Sequence, residues 1–382
     1  MIPTPCIEVQ TSSEDRPSVP AWFAEVVLIA QYLTQHDVLE TLTQQVHLVR
    51  ARFGQYEVID FLVLLFGYAI SGERTLQDFF TRLTPFAMPF MALFGRSELP
   101  HRSSLSRFLA AVDPSCLEAF RTQFEKSFGQ GWSEDAIGGV WDRQGHPHVV
   151  FDVDATRQPA RQRALPRGEQ LPAPRRRLDQ VCGPGYLGRK RGEVVRSRTT
   201  ILQMHSRQWV GTFSGAGNGD YREELRSACR AIHTYLDTYH LPHAMGLVRL
   251  DGQYGDATVI AQVVKTDLPV VVRGRASHLL NPPQIQEVLE RPPASVMTLA
   301  DSGVVYELFD GGWLWLDEGL RSRVVLARRA APPPPQTVTV GKRVGDRVYE
   351  LFFTTTEDDA FLVQDIVELS HGRGAARGSL SR

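Results

Sequence analysis

Cysteine is scarce: the 382-residue chain has four, Cys6, Cys116, Cys182 and Cys229, with no CxxC pair and no histidine at zinc-binding spacing. That excludes a disulfide framework or a structural zinc as the organising principle and fits a reduced, cytoplasmic setting. Net charge is nearly absent too, with 42 Lys and Arg against 43 Asp and Glu. Any preference for an acidic partner must therefore come from local clustering. Long apolar runs are missing. The longest, Ile59 to Ile70 (IDFLVLLFGYAI), carries Asp60 and reads as a core helix. It falls well short of the roughly 20 residues that cross a bilayer, so no membrane role is expected. The N-terminus does not pair a basic stretch with an apolar one, and no signal peptide is expected. No GxxxxGK[ST] phosphate loop and no fixed-period repeat occurs.

What is present suffices for two or three domains, with 42% hydrophobic residues to build cores. Residues 1–145 read as a helical domain. Apolar residues recur at helical spacing over Ala21 to Thr34, Gln55 to Ser71, Thr75 to Leu83 and Ser115 to Phe128, with Pro and Gly between them. Leu99 to Val112 (LPHRSSLSRFLAAV) reads as a further short helix with Ser103 or Ser104 at its cap and Arg107 on its surface. It is open to two readings, the second half of a DNA-binding helix-turn-helix or a plain bundle helix.

From about Val149 the texture turns to strands. VVFDVDAT is a first strand, Thr199 to Gly215 a hairpin turning near Ser206 to Gln208, and Tyr221 to Tyr239 an amphipathic helix. A strand then ends at Asp251, a helix covers Asp256 to Thr266, and LPVVVRG is a further buried strand. This order predicts a mixed α/β sheet. Residues 146–276 form its first part. Residues 277–347, with GGWLWLDEG and APPPPQ, read as a β-rich insertion, and 348–382 as a last core strand, RVYELFFTTT, and its helix.

In FDVDATRQ, Asp152 and Asp154 are two apart, so an extended chain projects both from one face. Like charges side by side repel, and burial penalises each. Sheet pairing would bring the end of this strand beside Asp251. Carboxylates converging there without a Cys or His cluster suit a hard, oxygen-seeking ion, Mg²⁺ or Mn²⁺. Such an ion offsets the repulsion and stabilises a phosphodiester displacement. The plainer reading makes Asp154 a turn cap, Asp152 a solvent-facing residue and Asp251 part of an ordinary Asp-Gly turn.

Next to the first strand lies a strongly basic stretch. Arg157 to Arg198 holds twelve Lys and Arg, among them Arg157, Arg175, Arg176, Arg177, Arg189, Lys190, Arg191 and Arg198, against three acids. Prolines keep part of it extended, and Tyr186 sits among glycines in GPGYLGRKRG. This is the composition of a loop that tracks DNA phosphates.

Taken together, FDVDATRQ, GYLGRKRGEVVRSRTT, GTFSGAGNGDYREEL, VRLDGQYGD and YELFFTTT resemble, in order and spacing, a bacterial insertion-sequence transposase of the DDE type. The resemblance covers roughly 53–374. It implies a ribonuclease H-like catalytic core with an insertion before the last catalytic element, and a metal-dependent enzyme that nicks transposon ends and joins them to target DNA as a dimer. It matches Asp154 to the first catalytic aspartate and Asp251 to the second, with Asp152 a lesser claimant to the metal. The family's third acid, a glutamate on the last helix, falls on Arg377 in HGRGAAR. The family also continues past the position of Arg382. The resemblance therefore implies a C-terminally truncated or frame-altered copy that is inactive. Alternatives are a non-catalytic DNA-binding remnant that inhibits intact transposase, and an unrelated metal-dependent nuclease. A cytoplasmic, nucleoid-associated location is expected.

Overall fold

The computed structural model describes residues 18–45, 55–112, 114–129, 138–160, 183–184, 194–215, 217, 220–299, 302–317, 319–333, 338 and 340–372. Residues 1–124 and 125–382 form two units.

The acid that interrupts the longest apolar run explains how that run begins a helix. In the first unit, α3 (Val58–Ser71) starts with a capping box in which the Glu57 amide donates to Asp60 Oδ2 at 2.7 Å, and Arg96 Nε donates to Asp60 Oδ1 at 2.6 Å. A buried carboxylate is tolerated when its lone pairs are satisfied and a cation sits beside it. The helix ends at Gly72, whose φ of 64° is left-handed. Around α3 lie α1 (Phe23–Gln35), α2 (Val38–Gln45), α4 (Leu76–Leu83), α5 (Ala87–Ala92) and α6 (Arg102–Ala111), followed by α7 (Pro114–Glu125). Their core includes Val26, Phe61, Leu64, Phe79 and Phe90, and Phe61 stacks on Phe108 at 4.5 Å. The start of α6 differs from the expectation. His101, extended before the helix, is the cap, and its Nδ1 accepts from the Ser103 amide at 3.2 Å. Neither serine caps. Arg107 folds back on its own helix, its Nη2 3.2 Å from Ser103 Oγ.

The second unit is one mixed sheet with helices on both faces. Its strands are β1 (Val140–Trp141), β2 (Pro147–Ala160), β3 (Gly183–Pro184), β4 (Val194–Gln203), β5 (Trp209–Gly215), β6 (Gly246–Leu250), β7 (Val270–Arg273), β8 (Ser295–Thr298), β9 (Val305–Asp317), β10 (Leu320–Ala330), β11 (Lys342–Val344) and β12 (Arg347–Thr354). The spatial order is β3-β4-β2-β6-β7-β12-β10-β9-β8, with β5 on β4, β1 on β2 and β11 on β12. Strands β2, β4 and β5 run antiparallel, while β6 and β7 are parallel to β2. The run β5-β4-β2-β6-β7, three antiparallel strands followed by two parallel to β2, makes the sheet mixed as expected. The strands of 277–347 do not form a separate sheet. Strand β12 pairs with β7 on one side and β10 on the other, so β10, β9 and β8 extend the core sheet.

Alternation along each strand divides the sheet between two cores. Phe151, Val153, Val248, Leu250, Val270 and Val272 pack under α8 (Arg222–Thr238), α9 (Ala257–Val264) and α10 (Pro283–Glu290). Helix α8 supplies Leu225, Ala228, Cys229, Ile232 and Tyr235 at helical spacing. On the other face Val150, Leu247, Val271 and Phe352 meet Val363, Ile366 and Val367 of α11 (Val363–His371). Two of the four cysteines are described, Cys116 and Cys229, and both are buried.

Candidate active site

The site is built at the ends of the parallel strands. Strands β2 and β6 pair with Asp152 beside Arg249 and Val153 beside Leu250. One step further along that register are Asp154 and Asp251. Both lie near the point where β6 ends at Leu250 and the chain turns away, since the charges of both act on the Tyr254 hydroxyl. Asp251 caps the short helical turn Gly252–Tyr254, with its Oδ1 accepting from the Gln253 amide at 2.8 Å. Gly255 then runs against β7 so closely that a Cβ would collide with the Arg273 carbonyl, and the Arg275 amide donates to the Gly255 carbonyl at 2.9 Å. Tyr254 is fully buried nearby. Burial pushes its phenol pKa up, and the charges of Asp251, Glu224 and Asp154 add to the rise. Three carboxylates thus act on one buried hydroxyl.

Asp152 has a different occupation. Its Oδ1 and Oδ2 accept from Arg249 Nε and Nη2, both at 2.7 Å, and both side chains are buried. Arg249 Nη1 donates to the Leu369 carbonyl at 2.8 Å, fastening α11 over the sheet. A bidentate guanidinium donates one hydrogen bond to each oxygen and compensates the buried charge. Asp152, expected among the metal ligands, is thus held by Arg249 in the scaffold of the sheet.

Of the basic residues, Arg157 and Arg198 are described and exposed. In the β2/β4 ladder Asp154 pairs with Thr200, Thr156 with Arg198 and Gln158 with Arg196. Arg198 and Arg196 consequently follow Asp154 along one face, about 7 Å apart at the rise of a strand. Arg157 points to the opposite face, and its Nε donates to the Tyr221 hydroxyl at 3.0 Å. Arg175, Arg176, Arg177, Tyr186, Arg189, Lys190 and Arg191 lie outside the described residues, as does Arg377.

The last helix offers two acids among its described residues. Asp365 accepts from the Leu362 amide at 2.8 Å and from Arg143 Nε at 2.7 Å, so it caps α11 and pairs at the helix start. Glu368 is exposed and accepts from Gln364 at 2.7 Å. Among the described residues no group of three or more His, Cys, Asp or Glu has metal-binding geometry.

Sequence reasoning missed Glu224 and Arg249. Glu224 is buried on α8 and accepts from Ser197 Oγ at 2.7 Å and Thr199 Oγ1 at 3.1 Å. Burial raises its pKa, and those two hydroxyls oppose the rise. Its signal was a glutamate in phase with the apolar face of an amphipathic helix. For Arg249 the signal was a charge inside the buried strand GLVRL.

No protein-family profile matches the chain, and no curated protein matches it. Among solved structures it is similar to the cryo-electron microscopy structure of a piggyBac transposase synaptic complex with hairpin DNA, at 11% identity and a TM-score of 0.39, over 88% of this chain and 62% of that one. The chain spans less than two thirds of the length of that protein. No described helix is long and apolar enough to cross a membrane.

Proposed function

We propose that this chain is a DNA-binding protein of the DDE transposase type, whose ribonuclease H-like core binds transposon ends and target DNA as a homodimer. The observation that supports the reading is the register of β2 and β6, whose last pair is Val153 with Leu250, so that Asp154 and Asp251 are the next residues along each chain. The donor set is all oxygen and doubly charged, which fits Mg²⁺ or Mn²⁺, and Asp154 and Asp251 would hold the ion. When bound, such a cation stabilises charge on the attacking and leaving oxygens of phosphoryl transfer. Arg196 and Arg198, in line with Asp154, would lead a phosphate backbone toward it, and Arg175 to Arg177 and Arg189 to Arg191 would extend that track.

A second reading is favoured by residue 377. With arginine where the family carries its third acid, the chain binds DNA without cutting it and acts as an inhibitor of intact transposase. One experiment tests both: a labelled duplex carrying the DNA that flanks the gene is incubated with protein and Mn²⁺, and binding and nicking are scored together. Binding without nicking supports the second reading, binding with nicking the first, and absence of binding removes both.

A further inference from the structure

The sheet does not hold Asp251 in place, because β6 ends one residue earlier at Leu250. The side chain that bridges the gap is Gln253. Its backbone N–H donates to Asp251 Oδ1 at 2.8 Å, and its side-chain Nε2 reaches across to the carbonyl of Ala155, the residue after Asp154, at 3.2 Å. Its Oε1 accepts from the Tyr221 hydroxyl at 2.9 Å, and that hydroxyl in turn accepts from Arg157 Nε at 3.0 Å. Tyr221 is buried, and its ring lies 5.2 Å from that of Tyr254.

The direction of each bond is set. A guanidinium only donates, so the Tyr221 oxygen accepts there and its one proton goes to Gln253. Gln253 must then present its oxygen to Tyr221 and its NH₂ to the Ala155 carbonyl. The flipped amide would place two acceptors together. One orientation of one amide thus joins the strand of Asp154, the turn of Asp251 and a guanidinium at the surface.

We infer that Gln253 is a positioning residue that sets the Asp251 carboxylate relative to Asp154, with Tyr221 holding its amide in register. This rests on the reading of Asp154 and Asp251 as a cation site. Groups that orient ligands typically change metal affinity by roughly 10- to 100-fold when removed.

The test uses the full chain with Gln253→Met, which keeps bulk and loses both polar ends, and Tyr221→Phe, which loses one hydroxyl. Without metal, amide exchange at Gly252, Gln253, Tyr254 and Gly255 should accelerate by about tenfold or more in Gln253→Met and by less in Tyr221→Phe, while Gly246 to Leu250 keep their rates. Unchanged exchange in the turn overturns the inference, and so does equal acceleration throughout β6. With Mn²⁺, Gln253→Met should weaken binding by about tenfold or more, and adding Tyr221→Phe to it should cost little further because both act through one chain of bonds. Wild-type affinity in Gln253→Met also overturns it. If Asp251→Ala binds Mn²⁺ as the wild type does, the cation reading has failed, and the exchange rates still decide whether Gln253 fixes the turn.

Discussion

Arg249 and Asp152 face each other on paired parallel strands and share two hydrogen bonds of 2.7 Å, while the third nitrogen of the guanidinium holds the Leu369 carbonyl. A buried arginine thus joins β2, β6 and α11. Arg323 does the same elsewhere, pairing with Asp310 of β9 and donating to the Phe361 carbonyl. Last comes Arg143, on the loop after β1, which pairs with Asp365 at 2.7 Å. Two of these arginines fasten the last helix and the third fastens the segment just before it, in addition to the helix's apolar face.

Removing one partner of a buried pair leaves the other charge without compensation, at about 3–5 kcal/mol. Arg249→Ala and Asp152→Ala should each lower unfolding free energy by about that amount in urea titrations, and Arg249→Met with Asp152→Leu should restore much of it. Single losses below about 1 kcal/mol would show the pair to be solvated and dispensable.

The turn between β1 and β2 supplies a pH dependence. Burial alone would raise the Asp142 carboxyl, but hydrogen bonds from the His146 amide, the His148 and His146 rings and the Gln144 amide outweigh it and hold the pKa at about 2, below its ordinary 3.8. A carboxyl depressed by folding contributes stability that is present above its unfolded pKa and lost as pH falls through the folded one. Asp142→Asn should therefore be less stable at neutral pH and lose less between pH 3.8 and about 2. A thermal-melt series across that window with parallel slopes for the two proteins would refute the assignment.

The strands and helices around the site were legible because their patterns are local: alternation in VVFDVDAT, a turn at Ser206 to Gln208, helical phase from Tyr221. The task of Asp152 was not. Nothing within FDVDATRQ distinguishes a strand carboxylate that meets a cation from one that meets Arg249, which is distant in sequence and reaches it only through β2/β6 pairing. Gln253 is similar, since GQY reads as a turn and its partner Tyr221 lies 32 positions away. The β-rich segment was legible as strands, but its attachment to the core sheet was not, because strand order is set by long-range pairing of β12 with β7 and β10.

Asp154→Ala and Asp251→Ala should each weaken Mn²⁺ binding by more than the roughly tenfold typical of losing an outer-shell group. Asp152→Ala should change affinity less and the melting temperature more. Calorimetric titration of the three variants checks this, and equal binding by wild type, Asp154→Ala and Asp251→Ala would remove the cation from the proposal.

If the basic segment contacts phosphates, log K for DNA should fall with log salt by about 0.9 for each contact. Replacing Arg175, Arg176 and Arg177 with Ala should flatten that slope by up to about three units, and replacing Arg196 and Arg198 by up to about two. Slopes unchanged from wild type would assign these arginines to a solvated surface.

The last expectation is that the 382-residue chain binds a transposon-end duplex without nicking it. By the resemblance, Arg377 stands where the third acid belongs, which would remove a ligand and bring a positive charge in its stead. A unit charge pair at 4 Å is worth about 4 kcal/mol at an effective dielectric near 20, and repulsion from a divalent ion at that distance is at least as large. The described acids of α11 do not replace it: Asp365 is held by Arg143 and the Leu362 amide, and Glu368 is exposed beside Gln364. Phosphoryl transfer depends on placing ions and reacting oxygens accurately, which two carboxylates do less well than three. The measurement is strand nicking of a labelled duplex in Mn²⁺, with retention of the duplex scored alongside. Robust nicking by the unmodified chain, abolished by Asp251→Ala, would overturn the expectation and make Glu368→Gln the next variant to assay.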